Sequence, residues 1–149
     1  MRLWHKDLIP VLPRQQLLSQ WREVCGIARD INVDGTPNHL LVNRVLNYPE
    51  YHLRFYMQMV IRQMGDRGYN ISQAAYKKCS ANLKQARDKG FFPEHQMQNG
   101  NFILFDGWHN DIYLRQCLYN LEEKYICGGI SNEEWRQICA KFPEYELCS

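Results

Sequence analysis

The chain has 149 residues, 45% of them hydrophobic and 13% aromatic, and a formal net charge of +2. That length suits one domain, 1–149, able to bury roughly two-thirds of its unfolded surface. So small a charge excess permits nucleic-acid binding without arguing for it, and the chain holds no 18-residue apolar run that could span a membrane.

The start carries no signal peptide, because Lys6, Asp7 and Arg14 interrupt it, and a cytoplasmic location is expected. Pro10 and Pro13 favour an extended N-terminal segment folded onto the domain. Pro13 to Ala28 then reads as an amphipathic helix. Leu17, Leu18, Trp21, Val24, Cys25 and Ala28 recur at spacings of three and four, while Gln15, Ser19, Arg22, Glu23 and Gly26 fall on the other side. Most Arg–Glu neighbours on a helix form only a solvated face, and that reading stays open here. Gly26 leaves room for another backbone to approach.

Ile31 to Asn38 reads as loop, with Asp34-Gly35 and Thr36-Pro37 as turn dipeptides. His39 to Leu46 is a short helix or an apolar turn. Tyr51 to Arg67 is a second long helix, with Phe55 and Met59 inward and Tyr56, Val60 and Met64 as further candidates, stopped by Gly68. Ser72 to Lys89 opens on a Ser cap and carries Lys77, Lys78, Lys84, Arg87 and Lys89; it is either a solvated helix or part of a phosphate-contacting rim. Phe91 to Gly107, with Asn99-Gly100 and Asp106-Gly107 around an apolar FILF, is irregular or hairpin-like. His109 to Tyr125 is a helix offering Ile112, Leu114, Leu118 and Leu121 to a core. Ser131 and Glu134 form a capping box for a last helix through Phe142. The fold class is therefore all-α: a single compact domain of about four to five helices with long irregular connections.

Six cysteines (Cys25, Cys79, Cys117, Cys127, Cys139 and Cys148) make no CxxC pair and no Cys/His cluster of zinc spacing, so neither a metal nor another cofactor is expected. Reduced thiols are the default in a cytoplasmic protein. Cys25 and Cys117 fall at apolar helical positions and read as small hydrophobes.

Three stretches carry a resemblance. MRLWHKDLIPVLPRQQLLSQWREV is similar to the N-terminal signature of the pyrimidine-dimer DNA glycosylases, the phage-type endonuclease V enzymes and their bacterial relatives. The matching positions are Arg2, Leu3, Leu8, Leu12, Gln15, Leu17, Leu18, Trp21, Arg22 and Glu23. Leu53 to Ile71 resembles the family's second helix and its Arg-Gly-aromatic-Asn-Ile exit. His109 to Lys124 resembles, more loosely, its last long helix.

The resemblance implies a DNA repair glycosylase with AP-lyase activity on pyrimidine dimers in duplex DNA, monomeric and nucleoid-associated. In that family the nucleophile is the chain's own amino terminus. An α-amine titrates near ~7.7–8.0 and a lysine near ~10.4, so the former keeps more of its neutral form at physiological pH. Carried over, the amine of Met1 is the nucleophile and Glu23 the acid–base group. Arg2 and Arg22 would hold phosphates or the gap left by an extruded base, with Gln15 as a polar contact beside them. A solvated terminal charge is the plain alternative for Arg2.

Departures from the family pattern bear on the substrate. Arg2 stands where the best-known members have a small residue exposed by Met removal, so the nucleophile here is the Met1 amine. Gly26 replaces a further Arg one turn after the Glu, with Arg29 as a substitute. Trp135, Phe142 and Tyr145 are candidates for a missing aromatic-basic tail. His5, four residues from the amine, is a candidate proton-handling group, against the plainer alternative of a satisfied structural histidine. Two other readings remain: the same machinery acting on another damaged or modified base, and a non-catalytic helical DNA-binding or partner-binding protein.

Overall fold

The computed structural model describes residues 1–94 and 101–147. Among the described residues five α-helices follow one another: α1 (Arg14–Asp34), α2 (Glu50–Asp66), α3 (Gln73–Asp88), α4 (Asp111–Ile126) and α5 (Asn132–Lys141). Short 3₁₀ segments lie at Lys6–Val11, Asn43–Asn47 and Pro143–Tyr145. Among the described residues there is no strand, so the all-α expectation holds. The Asn99-Gly100 turn and Cys148 lie outside the described residues.

α1 organises the core. Leu17, Trp21, Val24 and Ala28 are buried as the stripe predicts, while Leu18 and Cys25 are half-buried. The helix runs six residues past the expected end. Ile31 continues the apolar face three residues after Ala28, and the stop comes at Gly35, whose φ of 77° lets its N–H reach the Ile31 carbonyl at 2.8 Å. Burying each of the large apolar side chains contributes about 1.5–3 kcal/mol relative to exposure. α1 packs on α3 and α2, and the 3₁₀ segment Lys6–Val11 packs on α2 and α5.

In α2 the buried face is rotated from the expected one. Phe55 is 48% exposed and Met59 only half-buried, whereas Leu53, Tyr56, Met57, Val60 and Met64 are enclosed. The helix is apolar on more than one side, so its own pattern does not select a face. A partner for the Tyr56 hydroxyl does. α4 shows a smaller change: Leu114, Leu118 and Leu121 are buried, but Ile112 faces solvent and Tyr113 takes the inward place. His39 to Leu46 resolves into a turn followed by the second 3₁₀ segment, with Val45 buried and Leu40 and Leu41 exposed. The described part of Phe91 to Gly107 is irregular, burying Phe92, Leu104 and Phe105.

Helix starts follow the capping chemistry in the sequence. The Ser72 hydroxyl accepts from Ala75 N at 3.2 Å, and Ser131 and Glu134 form the expected capping box. The second oxygen of Glu134 accepts from Arg14 N at 2.7 Å, so one carboxylate serves the first turns of both α5 and α1.

Candidate active site

The site is built where residues 1–5 lie along α1. Gln20 sits between Leu17 and Val24 on the apolar face and is fully buried. Its Oε1 accepts from Trp4 N at 2.7 Å, and its Nε2 donates to the Arg2 carbonyl at 2.9 Å. Tyr56 of α2 donates to the Trp4 carbonyl at 2.7 Å with Gln20 Oε1 equally close, and Tyr113 of α4 donates to the Leu3 carbonyl at 2.6 Å. Three helices therefore hold the backbone of residues 2–4 in one register. Burial pushes the Tyr56 hydroxyl well above its ordinary pKa, which keeps it a neutral donor.

This register brings the amino end to Glu23. Gln20 Nε2 donates to Glu23 Oε2 at 3.1 Å as well as to the Arg2 carbonyl, so one amide ties the segment to the carboxylate. Covalent geometry keeps the Met1 nitrogen within about 4 Å of the Arg2 nitrogen. The charge of the amine therefore acts on the carboxylate, and Met1 itself is exposed. Partial burial raises the Glu23 carboxyl above its ordinary pKa, opposed by the Met1 ammonium first and then by the Arg2 backbone, His39 and Arg22. The result is a carboxyl able to hold a proton more readily than a solvated one.

The remaining candidates separate. Arg22 is exposed, bonded only to Ser19 Oγ at 3.3 Å, and its charge acts on Glu23. The Arg2 guanidinium lies over the Trp4 ring at 5.2 Å and reaches Cys117 Sγ at 3.7 Å, so its side chain packs along the segment. Gln15 is exposed and outside this cluster; Gln20 supplies the polar contacts instead. Arg29 pairs with its neighbour Asp30 at 3.1 Å. Gly26 is open, and a Cβ placed there would meet nothing within 4 Å.

His5 is buried rather than facing the opening. Its Nδ1 accepts from Asp7 N at 3.0 Å, and its ring stacks on His109 at 5.2 Å. His109 Nδ1 in turn accepts from Lys6 N at 3.0 Å, leaving Nε2 buried and without a partner. Burial lowers both imidazoles, His109 to about 2. The two rings fix the exit of the N-terminal segment into the 3₁₀ turn as neutral groups. Trp135 and Phe142 are core residues, and Tyr145 is half-buried with Arg115 over its ring.

Sequence reasoning missed Gln20, Tyr56 and Tyr113 as the clamp. The available signal was Gln20 itself, an amide three residues after Leu17 and four before Val24, where an apolar stripe leaves no place for an unpaired polar group. It also missed the turn that bears His39, whose charge acts on Glu23. That turn is held by His39 N to Asn43 Oδ1 at 3.0 Å and Asn38 N to Thr36 Oγ1 at 3.1 Å, and it presents Leu40 at 89% exposure. Among the described residues no group of three or more His, Cys, Asp or Glu side chains could hold a metal ion, and no helix is long and apolar enough to cross a membrane.

A family model described as pyrimidine dimer DNA glycosylase matches residues 1–77. No curated protein and no solved structure matches the chain. The matched segment contains Met1, Arg2, Gln20, Glu23 and Tyr56; Tyr113 and His109 lie beyond it.

Proposed function

The chain belongs to the pyrimidine dimer DNA glycosylase family, and from that premise we propose that it excises pyrimidine dimers from duplex DNA and cleaves the strand by β-elimination, using the Met1 α-amine and Glu23. The observation that supports this reading is Gln20 bonded to both the Arg2 carbonyl and the Glu23 carboxylate, whose raised pKa the Met1 ammonium opposes.

The chemistry follows from that pair. The neutral amine attacks the sugar C1′, a C–N bond forms, and the bond from C1′ to the base breaks with its electron pair leaving on the base. A protonated Glu23 donates to the ring oxygen as the C1′–O bond opens, which leaves an imine between Met1 and C1′. The resulting carboxylate removes a C2′ proton, and the C3′–O bond breaks with release of the phosphate. Water then hydrolyses the imine and returns the amine. Arg22 would hold a flanking phosphate, and the exposed Leu40 and Leu41 beside His39 are suited to fill the space of a base turned out of the stack.

Borohydride trapping on the untagged protein tests this, with one duplex bearing an abasic site and another a cis-syn thymine dimer. Covalent adducts on both, absent when the amine is acetylated and reduced at least 100-fold in Glu23→Gln, are expected. Trapping on the abasic duplex alone would keep the amine chemistry and reject dimers as the substrate. No adduct on either would reject the Schiff-base mechanism.

A further inference from the structure

A second feature of the molecule lies on α2 and α3, outside the N-terminal site. Arg54, Tyr76, Lys77, Ser80, Lys84 and Arg87, with Ala81 between them, line an open concavity of about 450 Å³. Lys77, Ala81 and Lys84 recur at spacings of four and three, which puts two ammonium groups on one face of α3 with a small residue between them. The helix is markedly one-signed: its only acid is Asp88, against Lys77, Lys78, Lys84 and Arg87. Lys84 and Arg87, three residues apart, are like charges on one helix face, a pairing that opposes helix formation.

The hydrogen bonds decide what the concavity presents. Glu50 is 3% exposed, and its two oxygens are taken by Arg54 Nε at 2.6 Å and Arg87 Nη1 at 3.3 Å. This buried carboxylate anchors both guanidiniums. Ser80 Oγ accepts from Arg54 Nη1 at 2.8 Å and Tyr76 Oη accepts from Gln58 Nε2 at 3.1 Å, so each hydroxyl keeps its own proton to donate outward. Asp88 touches Arg87 Nε at 3.6 Å on the rim. What faces the space is four cations and two O–H donors around an acid already consumed.

We propose that this concavity is a phosphate-binding site, with the Glu50-anchored Arg54 and Arg87 as its fixed wall and Lys77 and Lys84 as its mobile contacts. Its chemistry suits a phosphate oxyanion, whether in a nucleic-acid backbone or as a small free phosphate. Ser80, Lys84 and Arg87 lie beyond residue 77, outside the segment that shows the family. The site is independent of the amine chemistry.

The test uses the full chain and a Lys77→Gln/Lys84→Gln variant, in which both changes are at exposed positions and Gln is a good helix former. Undamaged duplex affinity is measured from 50 to 200 mM salt, and inorganic phosphate and pyrophosphate are titrated in parallel. If the ligand is a nucleic-acid backbone, the variant's slope of log K against log salt shrinks by about 1.8, and affinity near 0.1 M falls roughly 10-fold or more. If the source is a small phosphate, wild type binds pyrophosphate below about 1 mM, the variant does not, and duplex binding is unchanged. An unchanged slope together with no pyrophosphate binding by wild type overturns the proposal. Trapping on an abasic duplex at saturating concentration should be equal in the two proteins, and loss of trapping in both would bear on the amine mechanism alone.

Discussion

Replacing Gln20 with Met tests whether one buried amide positions the amino terminus. Met is close to Gln in length and flexibility, so the packing between Leu17 and Val24 changes little. Four contacts are lost, but they do not weigh equally. Trp4 N–H is buried and its 2.7 Å bond to Oε1 has no replacement, which costs about 1–3 kcal/mol. Tyr56 keeps a partner, because its single proton can go to the Trp4 carbonyl at 2.7 Å. The Arg2 carbonyl and Glu23 Oε2 belong to half-buried residues that water can reach, so together they add about 1 kcal/mol. The expected loss is therefore about 2–4 kcal/mol, or roughly 5–15 °C in melting temperature for a chain of this size. Far-UV circular dichroism at 20 °C should stay helical while borohydride trapping on an abasic duplex falls at least 10-fold. A melting temperature within about 2 °C of wild type together with unchanged trapping would refute the clamp.

Acidification should destabilise the fold through buried imidazoles. Burial holds His52 at about 4 and His109 at about 2, below the ~6.5 of an unfolded imidazole, so between those values the unfolded chain binds more protons and stability falls as pH falls. Each ring costs at most about 1.4 kcal/mol per pH unit, which gives roughly 3–4 kcal/mol for the pair from pH 7 to 5; urea midpoints that do not move over this range would count against it. Gly26→Ala should stabilise α1 by about 1 kcal/mol, because a mid-helix glycine is unfavourable and the new Cβ meets nothing. A fall in melting temperature would mean that the position is constrained by something other than room.

Much of the helical plan was legible from side-chain periodicity and caps. The α1 stripe, the Ser72 cap and the Ser131–Glu134 box are local patterns, set within one or two turns by residues that need only their neighbours. Glu23 beside Arg22 was visible on the polar side of the same helix for the same reason. Where a segment is apolar on more than one face, as in α2, the local pattern is degenerate, and Phe55 and Tyr56 exchange roles according to what packs against them. His5 shows the same limit: nothing within five residues of it reveals that His109, more than a hundred positions away, forms its stacking partner.

The sequence by itself determined most of the helix-forming stretches, the capped starts at Ser72 and Ser131, and an acid on the polar side of the first helix. Only the tertiary structure decided that the first residues of the chain run alongside that acid. The reason is that residues 2–4 make no regular secondary structure, so their backbone polar groups must find partners elsewhere. Gln20, Tyr56 and Tyr113, from three different helices, supply those partners, and the place where they converge brings the amino end within electrostatic reach of Glu23.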